Sequence, residues 1–254
     1  VDALGLAGTQ ASGLWQTRHE PGSHAKQLHT ARAAHAGLLA GRLAAAGFVG
    51  VRTIFEGPQG FFAATCGDAD PAAVADFPES DGWRLSEVSF KPWPACRHAH
   101  AAIDAALAIG LAPDDIERVT VRAYRDAIVF CDKPEPRDTL SAKFSLQHAV
   151  AVALLHGAPA LAHFEGAGLD DRAVAALRRR IDVAEDAALT ARYPARFGAG
   201  LDIELRSGAQ RSIDIADALG DPENPLDDAR IVGKADMLMA HAGLEAPKRE
   251  ALIA

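Results

Sequence analysis

Cysteine is scarce in this sequence of 254 residues, and its few copies are scattered along the chain. Cys66, Cys96 and Cys131 form neither a CxxC pair nor an even-numbered framework. Disulfide-stabilised secreted domains and structural zinc sites both depend on such groupings. The sequence therefore argues against both classes, and the isolated thiols suit a reducing compartment.

Long apolar runs and an excess of positive charge are lacking as well. No stretch approaches the roughly 20 residues that a membrane-spanning helix needs, and no signal peptide is recognisable. The net charge of −8 disfavours nucleic acid as the main partner. We therefore expect a soluble, cytoplasmic protein that binds neither nucleic acid nor a membrane. The chain begins at Val1 inside a small-residue helical pattern, as expected either of a fragment or of a partly observed chain.

The signature motifs of several common enzyme classes are also missing. The sequence contains no HExxH, no P-loop, no dinucleotide fingerprint and no nucleophile elbow. Internal repeats and low-complexity tracts are absent too, and we expect no metal site and no cofactor. Apolar residues, in contrast, make up 49% of the chain, which is enough for a substantial core.

The most distinctive stretch is residues 91–100. Its sequence is Lys91-Pro92-Trp93-Pro94-Ala95-Cys96-Arg97-His98-Ala99-His100. Each proline ring fixes φ and removes a backbone donor, so the first half is stiff and extended. An alanine-rich helical pattern follows, and the stretch predicts a rigid arm that ends at a helix N-terminus. Unpaired amides and the positive end of the helix dipole favour an anion there, so we expect a carboxylate-binding corner.

Helical patterns dominate the first third of the chain. Residues 1–16 predict a buried helix whose glycines allow close packing. A second helix is predicted over 24–46, with Ser23 as its cap and Gly47 as its stop. Its apolar stripe comprises Leu38, Leu39 and Leu43. A short helix is predicted over 70–77.

Strand patterns appear only in the middle of the chain. Alternating apolar residues predict strands over 85–90 and 117–124 and a hairpin over 201–215 that turns at Ser207-Gly208. Further helices are predicted from a cap at Ser141 to a stop at Gly157, over 170–180, and from 226 onward.

The order of these patterns predicts a mostly α protein with an α+β domain that contains a small mixed sheet. Because helical patterns occupy both the beginning and the end of the chain, we infer that the middle block is inserted into a helical domain. We expect residues 1–83 to form the first part of that domain, 84–220 the α+β domain, and 221–254 the helical return.

Four stretches stand out in order along the chain. They are Thr9-Gln10-Ala11-Ser12-Gly13 with Lys26-Gln27-Leu28-His29, then Lys91 to Arg97 with His100, then Lys143-Phe144-Ser145-Leu146-Gln147-His148 with Leu154-Leu155-His156-Gly157, and finally Gly220-Asp221-Pro222-Glu223-Asn224-Pro225-Leu226. Together, in this order, they resemble the motifs of the MmgE/PrpD family. That family includes 2-methylcitrate dehydratase, cis-aconitate decarboxylase and iminodisuccinate epimerase. The resemblance implies an all-helical domain plus an α+β lid, a homodimer, a site between the two domains, and chemistry without a metal cluster.

The sequence departs from the family pattern in two respects. Family members are much longer, and the match covers the carboxy-terminal part of the family chain, without the Asp-x-x-x-Thr and His motif that contributes to the site. In addition, His148 stands where the family usually has tyrosine. An imidazole and a phenol differ in pKa by several units, roughly 6.5 against 10, so the proton-transfer step is the part of the chemistry that this departure affects.

Three cationic side chains are candidates for holding carboxylates. The resemblance assigns catalytic roles to Lys26 and Lys91. Arg97 can bind a carboxylate through two parallel hydrogen bonds. Lys26 can equally be a solvated residue in the first turn of its helix, although a cation there opposes the dipole. Arg97 can instead be paired with Asp104 or another acid in a purely structural role.

Three imidazoles and one thiol complete the candidate site. The resemblance makes His29 and His148 catalytic candidates for proton transfer, and it adds Cys96 and His100 as substrate-binding candidates. Each has a structural alternative. His29 and His148 can be buried histidines satisfied by backbone groups, His100 can be part of a helix face, and Cys96 can be a small residue at a tight junction.

These residues lead to one favoured function and three alternatives. We expect a lyase of the dehydratase class that removes a proton next to a carboxylate of a small di- or tricarboxylate and expels water. Basic groups from the early helices and from the proline arm would converge on this acid. The alternatives are an epimerase, a decarboxylase, and a non-catalytic carboxylate-binding or assembly module.

Overall fold

The computed structural model of the chain describes residues 1–14, 16, 23, 25–67 and 87–253. The chain divides into two compact units, Val1–Trp83 and Arg84–Ala254. The helix predicted over 70–77 and the start of the strand predicted over 85–90 lie outside the described residues. The three-part domain division proposed from the sequence stays a prediction.

The first unit is helical in its described parts. It contains α1 (Asp2–Gly8), α2 (Ala25–Ala45) and α3 (Phe61–Thr65), and α1 packs against α2. The prediction of a buried helix over 1–16 is wrong in extent and in burial. The helix ends at Gly8 because the amide of Gln10 turns back to the carbonyl of Ala7 (3.0 Å), and Gly5 is its one buried residue.

The boundaries of α2 confirm the sequence prediction, but its apolar stripe does not. The amide of Ala25 donates to Oγ of Ser23 (3.2 Å), and Gly47 follows the helix with φ +90°. Leu38 and Leu39 are exposed in this structure, and the residues that α2 buries are alanines instead, namely Ala36 and Ala40. Local capping chemistry thus determines where this helix starts and stops, whereas its buried face depends on packing.

The second unit combines eight α-helices with four strands in its described residues. The helices are α4 (His100–Ala108), α5 (Arg125–Cys131), α6 (Thr139–Lys143), α7 (Leu146–His156), α8 (Arg172–Arg178), α9 (Ala187–Arg192), α10 (Asp228–His241) and α11 (Ala246–Ile253). The strands are β1 (Ile116–Ala123), β2 (Ile181–Glu185), β3 (Ala199–Leu205) and β4 (Gln210–Ile215).

The four strands form one mixed sheet in the order β2-β1-β3-β4. Strands β1 and β2 are parallel, whereas β1–β3 and β3–β4 are antiparallel. The predicted hairpin is confirmed as β3–β4. The prediction of a strand over 85–90 is wrong for its described residues, because residues 87–90 form no strand and the amide of Phe90 donates to the carbonyl of Gly220 instead. Strand β2, which the sequence analysis missed, is the parallel partner of β1.

The core of the second unit lies between the sheet and two helices. Strand β1 alternates as predicted, with Val119 and Val121 fully buried beside Ile203 and Leu201 of β3. Helix α4 packs against β3 and β4, and α7 packs against α4 and α8. This arrangement is consistent with the predicted mixture of helices and a small mixed sheet, while the lid arrangement stays a prediction.

Three helices begin later in the chain than the sequence predicts, each after a residue whose side chain caps it. Ser145, not Ser141, caps α7, since its Oγ accepts from the amide of His148 (3.0 Å). Ser141 lies inside the short helix α6, whose cap is Asp138. Asp171 caps α8, and α10 begins after Asp227. Gly157 ends α7 as predicted, with φ +77°.

The described residues contain no helix that is both long enough and apolar enough to cross a membrane.

Candidate functional site

Three of the stretches that resemble the MmgE/PrpD family lie next to one another in the second unit. The amide of Cys96 donates to the carbonyl of Lys143 (2.7 Å), which joins the proline arm to the segment before α7. The amide of Phe90 donates to the carbonyl of Gly220 (2.8 Å), which joins the start of the arm to the segment after β4. Stretches far apart in sequence therefore come together around residues 89–100.

The arm leads into α4 as the sequence predicts. After the two prolines, Cys96 is still extended (φ −59°, ψ 142°), a short 3₁₀ turn covers Arg97–Ala99, and α4 starts at His100. The side chain of Arg97 is therefore presented at the junction between rigid extended chain and helix.

Arg97 is paired with Asp221, which lies on the segment after β4. An Nη2 hydrogen of Arg97 donates to Oδ1 of Asp221, and the two side chains are only 17% and 6% exposed. The guanidinium carbon also lies 4.4 Å from the centre of the Phe197 ring. The second terminal nitrogen, Nη1, is buried and has no hydrogen-bond partner among the residues that the structure describes. A carboxylate oxygen is the natural acceptor for such a donor.

Asp104, the acid suggested from the sequence as a partner of Arg97, is mainly occupied elsewhere. Its Oδ1 accepts from Nε1 of Trp93 (2.8 Å), and its Oδ2 accepts from the amide of Leu219 (2.7 Å). Burial raises the pKa of Asp104, although these two hydrogen bonds and the nearby Arg97 oppose the rise. Asp104 thus fastens the arm to α4 and to the segment after β4.

Lys91 and Cys96 precede the arginine on the arm. The side chain of Lys91 is exposed, and its carbonyl accepts from Nζ of Lys234 on α10. The positive charges of Arg97, Lys91 and Lys234 each oppose protonation of His100 and so lower its pKa. Cys96 is partly buried at the junction.

His100 is a buried, neutral histidine. Its Nε2–H donates to the carbonyl of Ala95 (3.4 Å), which closes the turn at the start of α4. Burial and, to a smaller extent, Arg97, Lys91 and Lys234 lower its pKa to about 3. This geometry favours the structural alternative for His100.

His148 is fully buried on α7, and both ring nitrogens are engaged. Its Nε2–H donates to the carbonyl of His163 (2.9 Å), while Nδ1 accepts from Nη1 of Arg178 (3.3 Å). Phe164 packs edge-on against the ring at 5.3 Å. Burial lowers the pKa of His148, so the neutral form is favoured. These contacts favour a structural histidine, and the catalytic role suggested by the resemblance stays a prediction.

Lys26 and His29 lie in the first unit, on the first turns of α2. Lys26 is exposed, whereas His29 is half-buried and lines a cleft of about 750 Å³. A Cβ built on Gly13, whose φ is +122°, would lie 3.7 Å from Nδ1 of His29. The two first-unit segments of the resemblance are thus neighbours, and the cleft also contains the side chains of Gln10 and Arg32.

Comparisons with known proteins identify the family of this chain. The profile of the MmgE/PrpD N-terminal domain matches residues 1–73, and that of the MmgE/PrpD C-terminal domain matches residues 93–254. This chain belongs to the MmgE/PrpD family. The resemblance inferred from four ordered motifs is therefore confirmed.

Curated relatives of this MmgE/PrpD chain include several 2-methylcitrate dehydratases. The enzyme of Escherichia coli (strain K12) is 34% identical over 118 residues, which are 43% of this chain and 24% of that protein. The Salmonella typhimurium enzyme is 32% identical over 139 residues, 50% of this chain and 29% of that protein. The Cupriavidus necator enzyme is 33% identical over 109 residues, which are 40% of this chain and 22% of that protein. The chain spans about a quarter of the length of these relatives.

One cluster of aromatic side chains next to Arg97 did not emerge from the sequence of this MmgE/PrpD chain. His98 shares a hydrogen bond between its Nδ1 and the hydroxyl of Tyr124, and its ring stacks on Phe130 at 5.0 Å. Tyr124 stacks in turn on Tyr193 at 4.6 Å, and burial raises its pKa well above the usual range for a phenol. Because His98 directly follows Arg97, the sequence could have marked it as a candidate site residue. Its partner Tyr124 directly follows β1, and no sequence spacing indicates that the two residues meet.

The described residues contain no group of three or more His, Cys, Asp or Glu side chains arranged to hold a metal ion.

The buried imidazole of His100 makes stability depend on pH. The unfolded chain binds a proton near pH 6.5, whereas folded His100 binds one only near pH 3. The unfolded state therefore holds more protons between these values, and this residue lowers the free energy of unfolding by about 1.4 kcal/mol for each pH unit below 6.5. Urea unfolding of wild type and His100→Gln between pH 7 and 5 measures this slope.

We expect His100→Gln to flatten that dependence, because glutamine keeps a donor for Ala95 but does not titrate. His35→Gln, at an exposed position of α2, is the matched control and keeps the wild-type slope. Identical slopes in wild type and His100→Gln would contradict the assignment.

Proposed function

We propose that this chain takes part in an MmgE/PrpD-type lyase reaction on a small di- or tricarboxylate, similar to that of 2-methylcitrate dehydratases. A base removes a proton from the carbon next to a carboxylate, and water leaves from the neighbouring carbon. Nearby cations and hydrogen-bond donors stabilise the negative charge that develops on the carboxylate during this step. The family membership and the named relatives support the reaction class.

The main support for the proposal is the buried Nη1 donor of Arg97, which has no hydrogen-bond partner among the described residues. One side of its guanidinium is neutralised by Asp221, and the buried Nη1 has no acceptor among the described residues. A buried donor without a partner costs free energy, and a ligand carboxylate removes that cost. We therefore assign Arg97 to a substrate carboxylate.

The other candidate residues keep narrower roles in this proposal. Lys91 and Cys96 precede Arg97 on the arm, and Lys91 adds a second positive charge to that segment. Lys26 and His29 belong to the first unit, and their catalytic roles stay predictions. The hydrogen bonds of His148 and the low pKa of His100 favour supporting roles in the fold for both.

Titration calorimetry with 2-methylcitrate tests the assignment through Arg97→Lys. The lysine retains a charge for Asp221 but offers no second planar donor, so we expect binding at least tenfold weaker than wild type, since a hydrogen bond to a charged group contributes roughly 1.5–3 kcal/mol. Arg118→Lys is the matched control, because Arg118 pairs with Asp182 on the exposed side of the sheet. Its affinity stays at the wild-type value.

Two results would overturn the proposal. In the first, wild type binds none of 2-methylcitrate, cis-aconitate and iminodisuccinate analogues. In the second, Arg97→Lys binds as tightly as wild type. The product distinguishes the reaction classes, because dehydration creates an alkene absorbance, whereas an epimerase exchanges a deuterium label next to the carboxylate without creating one.

A further inference from the structure

The guanidinium of Arg97 is restrained on two sides. Asp221 holds its Nη2 edge through a hydrogen-bonded ion pair, and its central carbon lies over the ring of Phe197, 4.4 Å from the ring centre. An ion pair and a cation–π contact together restrict where a guanidinium can lie. Nη1 is the terminal nitrogen that remains without a partner in the described parts of the chain.

Asp221 is itself held in place by its surroundings. Its Oδ1 also accepts from Oγ of Ser89 (2.9 Å). Its backbone lies in a tight turn, because its amide donates to the carbonyl of Ala218 (3.1 Å) and its carbonyl accepts from the amide of Asn224 (2.9 Å). The acid that orients Arg97 therefore has little freedom to move.

Such restraint matters because arginine has many rotamers. Ordering a flexible side chain upon binding costs free energy, and that cost disappears when the protein has ordered it beforehand. The ion pair has a further consequence for recognition. Because Asp221 cancels the charge of Arg97, the pair attracts anions only weakly, and recognition depends on an acceptor placed at Nη1.

We propose that Asp221 and Phe197 are positioning residues that present Nη1 of Arg97 to one carboxylate of the substrate. This inference rests on the proposed function. It replaces the two parallel hydrogen bonds expected from the sequence with a contact from Nη1, because Nη2 is engaged by Asp221. Neither positioning residue needs to touch the substrate.

The substitution Asp221→Asn distinguishes positioning from simple electrostatics. Removing a negative charge beside an anion site strengthens anion binding if charge alone matters. Loss of the anchor for Arg97 weakens binding if position matters. We expect Asp221→Asn to bind 2-methylcitrate about fivefold more weakly than wild type, against the electrostatic trend.

Phe197→Leu provides a second, independent variant. Leucine keeps apolar contact with Arg97 but has no π face, and we expect about threefold weaker binding with the ion pair intact. Asp182→Asn, the matched control for Asp221→Asn, removes an acid from the exposed ion pair with Arg118 and binds as wild type does.

The experiment measures dissociation constants by calorimetry and melting temperatures of the same full-length samples. Weaker binding in Asp221→Asn and in Phe197→Leu, while both are folded at the assay temperature, supports the proposal. Wild-type or tighter binding in both, with Arg97→Lys still impaired, overturns it and leaves the proposed function intact. If wild type itself does not bind, the proposed function has failed. If Asp221→Asn does not fold, Phe197→Leu alone decides.

Discussion

Asp221→Ala is expected to lower the free energy of unfolding by about 3 kcal/mol, because it leaves the guanidinium of Arg97 buried without its counter-charge. The apolar contact with Phe197 remains, so the cost comes from the unpaired charge rather than from a large cavity. Ser89, the other donor to Asp221, is exposed and can bond to water instead. Chemical denaturation of wild type and variant measures the difference.

The double variant Arg97→Met/Asp221→Ala shows whether the unpaired charge is the cause. Methionine still packs on Phe197 and carries no charge, so we expect recovery to within about 1 kcal/mol of wild type. The matched pair Asp182→Ala and Arg118→Met/Asp182→Ala changes stability by less than about 1 kcal/mol, because that ion pair is exposed. A double variant as unstable as Asp221→Ala would show that the loss has another origin.

Gly220→Ala is expected to lower the free energy of unfolding by about 3 kcal/mol or more through backbone geometry. Gly220 has φ +92°, and an added Cβ would lie 1.8 Å from the carbonyl oxygen of Phe90. The overlap involves backbone atoms, so the arm must move and the hydrogen bond from Phe90 to Gly220 is lost. Because this contact ties the arm to the Asp221 segment, the affinity for 2-methylcitrate should fall as well.

Gly208→Ala is the control for Gly220→Ala. Gly208 lies in the turn between β3 and β4 with a similar φ of +81°, but an added Cβ there meets nothing within 4 Å. We therefore expect Gly208→Ala to lower the free energy of unfolding by only about 1 kcal/mol, which is the cost of placing an alanine in the left-handed region. Equal losses of stability in the two variants, measured by urea unfolding, would show that the contact with Phe90 is unimportant.

Much of the candidate site was predictable because it is contiguous in sequence. The stiff arm, the entry into α4 and the cation of Arg97 all lie within residues 91–100, and proline geometry and helical periodicity describe such a stretch locally. The identity of the acid beside Arg97 was not predictable. Asp221 is 124 residues away, and Asp104, much nearer in sequence, bonds to Trp93 and Leu219 instead.

The histidines illustrate the same division. Sequence placed His98, His100 and His148 in or near family motifs but could not distinguish reactive from structural imidazoles. The distinction depends on burial and on hydrogen-bond partners contributed by distant segments. Arg178 and the carbonyl of His163 engage both nitrogens of His148, whereas Tyr124 holds one nitrogen of His98.

By itself, the sequence determined the family, the ends of α2, the stop of α7 at Gly157, the alternation of β1 and the β3–β4 hairpin. Each of these depends on neighbours a few residues apart, where capping, glycine conformation and side-chain periodicity dominate. Only the tertiary structure decided that β2, whose one buried residue is Ile181, pairs with β1, and that Asp221 meets Arg97. The physical reason is that contacts between distant segments follow from the packing of the whole unit, which a local pattern does not encode.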